Sequence, residues 1–536
     1  MNITKIVLLS GPICSGKSSL SKRLIDRFGF SLMKTTEYVR LRKKEGGTSR
    51  RELQEYGKYL DAIDGGRWIL DDFCSFYEQK NSEYIVIDSI RTELQVNNFR
   101  NKFGRKVIHV HLTAPDKILR ERYAAKIAGN TNDCSYDDAI CNESEREVEH
   151  LSKHSDIAID TIRCLHEDVF ERTACLLGLY GMYHEKLVDV IIGGQYGSEG
   201  KGNVASYLSP EYQLLVRVGG SNAGHKVKLP RGGEYIFSQL PSGSGSSDAK
   251  IVIGAGAVIN PKVILKEIGD HGIDESRLCI DPQAMIVSND DIKREIQLTK
   301  DISSTGSGTG IAASRRIADR GSRVRPVQLA KDHVDLRKYT KKTALEVFED
   351  AFRNRLKVLL EGTQGTGLSL YHGYYPYVTS RDTTVSGCLS ESGISSARVR
   401  RVVMVCRTYP IRVPNSAEGM TSGPMSPNVT REEIANRSGV PLEDLKELTS
   451  ITKGKRRIGE FDWHLLRKST TLNSPTDIAL TFVDYLNVKN RDARRFDQLT
   501  LETIQFIEEV ERFAKAQVSL LSTRFHLRSI IDRRSW

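Results

Sequence analysis

Lys5–Phe28 reads KIVLLSGPICSGKSSLSKRLIDRF: a strand-like apolar run, a glycine loop, then a helix-like stretch. Gly11–Ser18 fits G-x-x-x-x-G-K-[ST]. In such a loop, Gly11 and Gly16 let backbone N–H groups turn toward phosphate oxygens. Lys17 would neutralise the β/γ phosphates and Ser18 would ligate Mg²⁺. The loop opens a helix, whose N-terminal dipole favours an anion. Strand, loop and helix in this order predict ATP binding on an α/β domain.

The same domain extends outward from this loop. YIVIDS (Tyr84–Ser89) and KVIHVHLT (Lys106–Thr113) are apolar and β-branched, the pattern of buried parallel strands. Helix-like stretches such as TSRRELQEYGKYLDAI lie between strands, and that alternation implies a doubly wound sheet. Asp88 ends the strand YIVID, placed either to act on Mg²⁺ or its water or to make a strand-terminal turn. Arg50, Arg51 and Arg91 are candidates to hold an acceptor phosphate, or solvated surface arginines. Asn130–Ser144 is polar and reads as a mobile lid or loop, and a helix over HEDVFERTACLLGLYGMYHEK closes a first domain at residues 1–186. TSRRELQEYG, VIDSIR and HLTAPDKILRERY together resemble the nucleoside-monophosphate kinase and dephospho-CoA kinase clan over most of residues 3–165. The arginine-rich lid of that clan is not evident in AGNTNDCSYDDAICNES, so nucleotide binding is better supported there than kinase turnover.

A second strand–loop opening, LVDVIIGG, starts at Leu187 and begins a larger α/β domain over residues 187–536. Its loops are rich in glycine, serine and threonine, but they are short and separated by strand-like runs. That arrangement favours phosphate- and substrate-binding loops over linkers. The whole chain of 536 residues is 39% apolar and 27% charged, which excludes wholesale disorder and a collagen-like chain. No uncharged apolar run approaches the ~18–20 residues of a membrane span. Nine cysteines without C-x-x-C pairs argue against a zinc site or disulfide framework and for a reducing cytosol, hence a cytoplasmic protein. The net charge of +11 lies almost wholly after Lys186, which fits an enzyme that handles several anions. No aromatic-interleaved basic stripe points to nucleic acid.

Eight ordered blocks fill the second domain: GGQYGSEGKG (193–202), GGSNAGH (219–225), LPSG (240–243), IGAGAVINP (253–261), STGSGTG (304–310), EGTQGT (361–366), HGYYPYVTSRDTT (372–384) and ITKGKRRIGEFD (451–462). Their order, spacing and wording resemble the adenylosuccinate synthetase family across nearly all of residues 187–525. The resemblance implies a homodimeric ligase that joins L-aspartate to a purine monophosphate. A nucleoside triphosphate first phosphorylates the purine O6, and the aspartate amine then displaces that phosphate. Such chemistry needs charge-spreading groups at the γ-phosphate, a proton donor at the oxygen and a cationic clamp for two carboxylates. Carried over residue by residue, the resemblance gives His225 as general acid and Gln364 at O6 or the transferring phosphoryl. It places Lys201 on the triphosphate, held by a loop that includes Gly197, Glu199, Gly200 and Gly202. It places Asn222, Thr305 and Thr379 at the purine nucleotide's phosphate, Gly224 among the Mg²⁺ ligands, and Lys455, Arg456 and Arg457 in the aspartate clamp.

Departures from the family pattern sharpen the expectation. Ser198 stands where ordinary members carry an aspartate that takes the purine N1 proton and helps bind Mg²⁺. A serine is a far weaker base and uncharged. It matches instead the phage and archaeal branch that uses dGMP and makes the precursor of 2-aminoadenine. A smaller neutral residue near N1 also suits a purine with a 2-amino group. The bland alternative is an inactive, nucleotide-sensing protein, and the close rival is an ordinary enzyme acting on IMP. Gly454 replaces an arginine near the ribose hydroxyl, which removes a reason to prefer ribose. Asp319 replaces an arginine that reaches the nucleotide phosphate across a dimer, with Arg316 or Arg320 as possible substitutes. In the guanine-reading region, TFVDYL (481–486) keeps Asp484 but has Phe482 for a lysine, and STRF (522–525) has Arg524. The donor is therefore left open between GTP and ATP or dATP.

Overall fold

The computed structural model describes residues 2–43, 50–127, 135–140, 143–162, 164–180, 185–230, 232–302, 304–415, 421–445 and 455–535. The chain divides into two compact units, Met1–Tyr180 and Gly181–Trp536.

The first unit is a five-stranded, wholly parallel sheet. Its spatial order is Ser31–Lys34, Tyr84–Asp88, Lys5–Ser10, Val107–Thr113, Ile157–Asp160. Alternate residues of the central strand enter different cores. Ile6 and Leu8 pack with Ile85 and Ile87, whereas Val7 and Leu9 pack with Val86, Val110 and Leu112. That period-two division is what a sheet covered on both faces requires, and full burial of each such side chain stabilises by roughly 1.5–3 kcal/mol. The helix Lys17–Phe28 follows the central strand directly. The helix expected over HEDVFERTACLLGLYGMYHEK is shorter: it spans His166–Leu176, and residues 181–184 lie outside the described residues. Inside the expected lid, Tyr136–Ile140 is helical; residues 128–134 and 141–142 lie outside the described residues.

The second unit is built on a nine-stranded sheet. Its order is Leu278–Ile280, Lys250–Ile253, Leu214–Arg217, Val358–Glu361, Val188–Gly193, Val399–Arg407, Asp477–Thr481, Gln517–Ser522, Ile530–Asp532. All neighbours are parallel except the last pair, which is antiparallel. Val190, Val216, Leu360 and Met404 face one core; Ile191, Leu215, Leu359 and Val405 face the other. Four central strands each end, on the carboxyl side, in a charged residue or a glycine: Arg217, Glu361, Gly193 and Arg407. In open parallel sheets that edge is where ligands bind. Among the described residues no helix is long and apolar enough to cross a membrane.

Candidate active site

In the first unit the chain leaves the central strand at Gly11, with φ 138°. A Cβ there would lie 2.2 Å from the Leu112 carbonyl oxygen, so only glycine fits. Gly16, also left-handed, caps the following helix. Lys17 Nζ turns back onto its own loop, donating to the Gly11 and Pro12 carbonyls at 2.7 and 2.8 Å. Ser18 Oγ donates to Asp88 Oδ2 at 3.3 Å. A hydroxyl and a carboxylate thus meet beside a phosphate loop, a donor pair suited to Mg²⁺. The side chains of Arg50 and Arg51 lie outside the described residues, and Arg91 adjoins Gln95, whose side chain accepts its backbone N–H.

In the second unit the carboxyl ends of the strands open on a cleft of about 690 Å³. Ser198, Gly197, His225, Gln364 and Arg456 line it. So do Asn222, Gly224, Thr305 and Thr379. Residues drawn from six separate loops therefore meet on one surface. Gln364 has φ 59°; its Nε2 donates to Asn222 Oδ1 at 2.9 Å, and its Oε1 accepts from Thr363 Oγ1 at 2.6 Å.

His225 opens a strand, His225–Lys228, after its glycine-rich turn. Its Nδ1 lies 2.5 Å from Glu361 Oε1, and its Nε2 is a buried atom without a hydrogen-bond partner. Burial first, then the Arg217 guanidinium, lowers the His225 pKa well below the ordinary imidazole range. Burial alone would raise Glu361, but Arg217 and His225 hold it far below the usual carboxylate range. The resting pair is therefore an ionised carboxylate beside a neutral imidazole.

Glu199 and Lys201 lie within their own loop and do not line the cleft. Lys201 Nζ meets Glu199 Oε2 at 2.6 Å with both side chains about 1% exposed. Glu199 Oε1 accepts the backbone N–H groups of Gln195 and Gly197 at 3.0 and 2.7 Å. This carboxylate shapes the loop, and Gly200, left-handed at φ 93°, starts the helix that carries Lys201 and Gly202. The loop also interlocks with EGTQGT. A Cβ on Gly193 would lie 2.5 Å from the Gln364 carbonyl oxygen. One on Gly365 would lie 2.5 Å from Glu199 Oε1 and 2.6 Å from the Gln195 carbonyl.

The expected aspartate clamp separates. Arg456 Nη1 donates to Ser198 Oγ at 2.6 Å, inside the cleft. Arg457 turns away and binds the Gly423 carbonyl at 2.7 Å and Ser422 Oγ at 3.1 Å; Lys455 is exposed. Gly454 lies outside the described residues. Asp319 is buried and paired with Arg325 at 3.0 Å, and Arg316 donates to the Ala255 and Gln283 carbonyls. Asp484 does not line the cleft: burial pushes its carboxyl up to about 6 despite Arg491 at 3.2 Å, and its Oδ1 is buried without a partner. Arg407, whose Nη1 donates to the Ser198 carbonyl at 3.3 Å, lies 4.0 Å above the Phe482 ring. Sequence reasoning missed Arg217 and Arg412. Both are charged residues that break otherwise apolar stretches, LLVRV and YPIRV, which was the available signal.

A sequence model described as adenylosuccinate synthetase matches residues 190–347 and 327–491. The chain belongs to the adenylosuccinate synthetase family. A model described as an AAA domain matches residues 7–147, in agreement with the phosphate loop of the first unit. Adenylosuccinate synthetase of Pyrococcus horikoshii is 35% identical over 356 residues, 64% of this chain and 98% of that one. Adenylosuccinate synthetase of Archaeoglobus fulgidus is 37% identical over 353 residues, again 64% and 98%. Among solved structures, cyanophage S-2L succinoaminodeoxyadenylate synthetase (PurZ), bound to dGMP and dATP as an energy donor, is 28% identical with a TM-score of 0.55. It covers 66% of this chain and 96% of its own. Fully ligated adenylosuccinate synthetase from Plasmodium falciparum, at 21% identity and the same TM-score, shares the fold over 65% of this chain. The adenylosuccinate synthetase matches leave Met1–Tyr180 to the P-loop kinase-like unit.

Proposed function

We propose that the second unit joins aspartate to C6 of dGMP through a 6-phosphoryl intermediate, giving N6-succino-2-amino-dAMP, NDP and phosphate. The observation that carries this reading is the neutral Ser198 in the cleft wall, hydrogen-bonded to Arg456, where ordinary members have a carboxylate. The likeness to a synthetase bound to dGMP supports it. In the first step the purine O6 attacks the γ-phosphorus, the bond from phosphorus to NDP breaks, and the N1 proton passes to solvent. In the second, the aspartate amine attacks C6, the C6–O bond breaks, and the amine's proton leaves with the departing phosphate. His225 handles the proton at the oxygen, Gln364 orients the reacting edge, Asn222 faces the nucleotide's phosphate, and Arg456 draws an aspartate carboxylate. A phosphoryl anion beside Nε2 would raise the depressed affinity of His225 for a proton, so the acid becomes charged when it is needed.

Mg²⁺ in this cleft would meet neutral protein oxygens at Ser198 and Gly224. The described residues hold no cluster of three metal-ligating side chains, so nucleotide phosphates would supply most of its ligands. Bound there, it would spread the triphosphate charge. ATP or dATP is the preferred donor, because Phe482, with Arg407 stacked on it, replaces the lysine of guanine readers.

The rival reading is the ordinary reaction on IMP, favoured by the archaeal relatives at 35% and 37% identity. A panel of IMP, dIMP, GMP and dGMP with aspartate, each with ATP and GTP, decides. A kcat/KM for IMP above that for dGMP overturns the preferred reading, and no turnover with any leaves a sensor. We further propose that the first unit binds ATP–Mg²⁺ through Lys17, Ser18 and Asp88 and phosphorylates a purine deoxynucleoside monophosphate. Residues 1–186 tested with a panel of monophosphates, dephospho-CoA included, check this.

A further inference from the structure

Arg217 is buried where packing alone gives no reason for a charge. It is 2% exposed, and its Nε and Nη2 are buried atoms without hydrogen-bond partners. A buried guanidinium with unpaired N–H groups is less stable than a well-packed apolar side chain of similar size. Its position is set by the sheet: Arg217 and Glu361 end adjacent parallel strands and stand opposite each other in register. Nη1 lies 2.6 Å from Glu361 Oε1 and 2.9 Å from His225 Nδ1.

Two contacts compete for Nδ1: the Arg217 guanidinium at 2.9 Å and the Glu361 carboxylate at 2.5 Å. A guanidinium only donates, and an ionised carboxylate only accepts. Glu361 Oε1 also accepts from Ser242 Oγ at 2.5 Å, and Oε2 accepts the Ser242 backbone N–H at 2.7 Å. With Glu361 fully surrounded by donors and ionised, two bare acceptors cannot face each other at 2.5 Å. The shorter contact, to the carboxylate, decides: Nδ1 carries a proton that it donates to Glu361. Nε2, buried without a partner, is then the ring nitrogen left for the cleft that His225 lines. The other cation near the ring, Lys201, is paired with Glu199.

We propose that Arg217 is a positioning residue. Acting through Glu361, it fixes the orientation and tautomer of His225, so that Nε2 is the nitrogen that exchanges a proton with the substrate oxygen. Without the guanidinium, a protonated Glu361 could donate to Nδ1, and Nε2 would become a permanent N–H donor.

This rests on the ligase reading, and the test separates the two. The full chain carrying Arg217→Met and Arg217→Lys is compared with the parent. Arg217→Met is expected to lower kcat about 100-fold while both KM values stay within about threefold. Arg217→Lys, which keeps a donor cation facing Glu361, is expected to restore at least about a tenth of the parent kcat. Ring ¹⁵N spectra of the unliganded chain are expected to show the proton on Nδ1 of His225 in the parent and the Lys variant, and a mixture in the Met variant. An unchanged kcat in the Met variant, a Lys variant no better than Met, or a parent ring protonated on Nε2 overturns the assignment. If Arg217→Met does not fold, the parent spectrum and the Lys variant decide. Absence of turnover with every purine nucleotide sinks the ligase reading alone, since the spectrum needs no substrate.

Discussion

Arg456 donates to Ser198 at 2.6 Å, so the residue that departs from the family at the purine is joined to the residue assigned to aspartate. A hydroxyl at this position adds no charge beside the guanidinium. An aspartate in its place would neutralise it as an ion pair. On the proposed assignment, a change at residue 198 would be felt in both substrate positions.

Ser198→Asp is expected to lower kcat/KM for dGMP at least tenfold and to raise the KM for aspartate, because the new carboxylate competes for Arg456. Steady-state kinetics with dGMP and IMP check it. Unchanged dGMP turnover would show that residue 198 does not set the substrate.

His225→Ala should cut kcat by about 10²–10⁴, the scale of a lost general acid, with a melting temperature near that of the parent. Near-normal turnover would remove His225 from the mechanism.

Two neighbouring arginines should fail differently. Arg456→Ala is expected to raise the KM for aspartate most, since its guanidinium lies in the cleft. Arg457→Ala is expected to lower thermal stability, because it gives up hydrogen bonds to the Gly423 carbonyl and Ser422 Oγ. A larger change in aspartate KM for Arg457→Ala would reverse the assignment.

Lys17→Ala should abolish ATP binding by the first unit, measured calorimetrically on residues 1–186, since it removes the charge facing the β/γ phosphates. Intact binding would show that Gly11–Ser18 is not a phosphate loop.

Asp484 carries a sign that urea unfolding can read. Burial raises its carboxyl from 3.8 to about 6, so the folded state binds a proton that the unfolded state has already released. Stability should fall as pH rises from about 4 to about 6, by about 3 kcal/mol, and stay reduced above that. Asp484→Asn should remove most of that slope. Persistence of the full slope in the variant would assign it to another group.

The parallel sheets were legible because apolar, β-branched runs ending in glycine loops have few other ways to bury both faces. The strand at Tyr84–Asp88 and the helix at Lys17–Phe28 follow from that pattern. The cleft was legible through glycine-rich blocks whose backbone must approach a ligand, and nine of the anticipated residues line it. What the sequence could not show was direction. Lys455, Arg456 and Arg457 are consecutive cations, and only folding shows that one faces Ser198 while the next holds backbone. Arg217 was hidden for a related reason: its role depends on strand register with Glu361, a pairing between positions far apart in the chain.

The interlocked loops around Gly193 and Gly365 bear on how this protein can change over time. A side chain added to either glycine would collide with the other segment's backbone or with Glu199. Segments far apart in the chain are thus constrained to change together. A drift in one needs a matched drift in the other, and exchanging either loop alone with a relative should give a poorer enzyme than exchanging both.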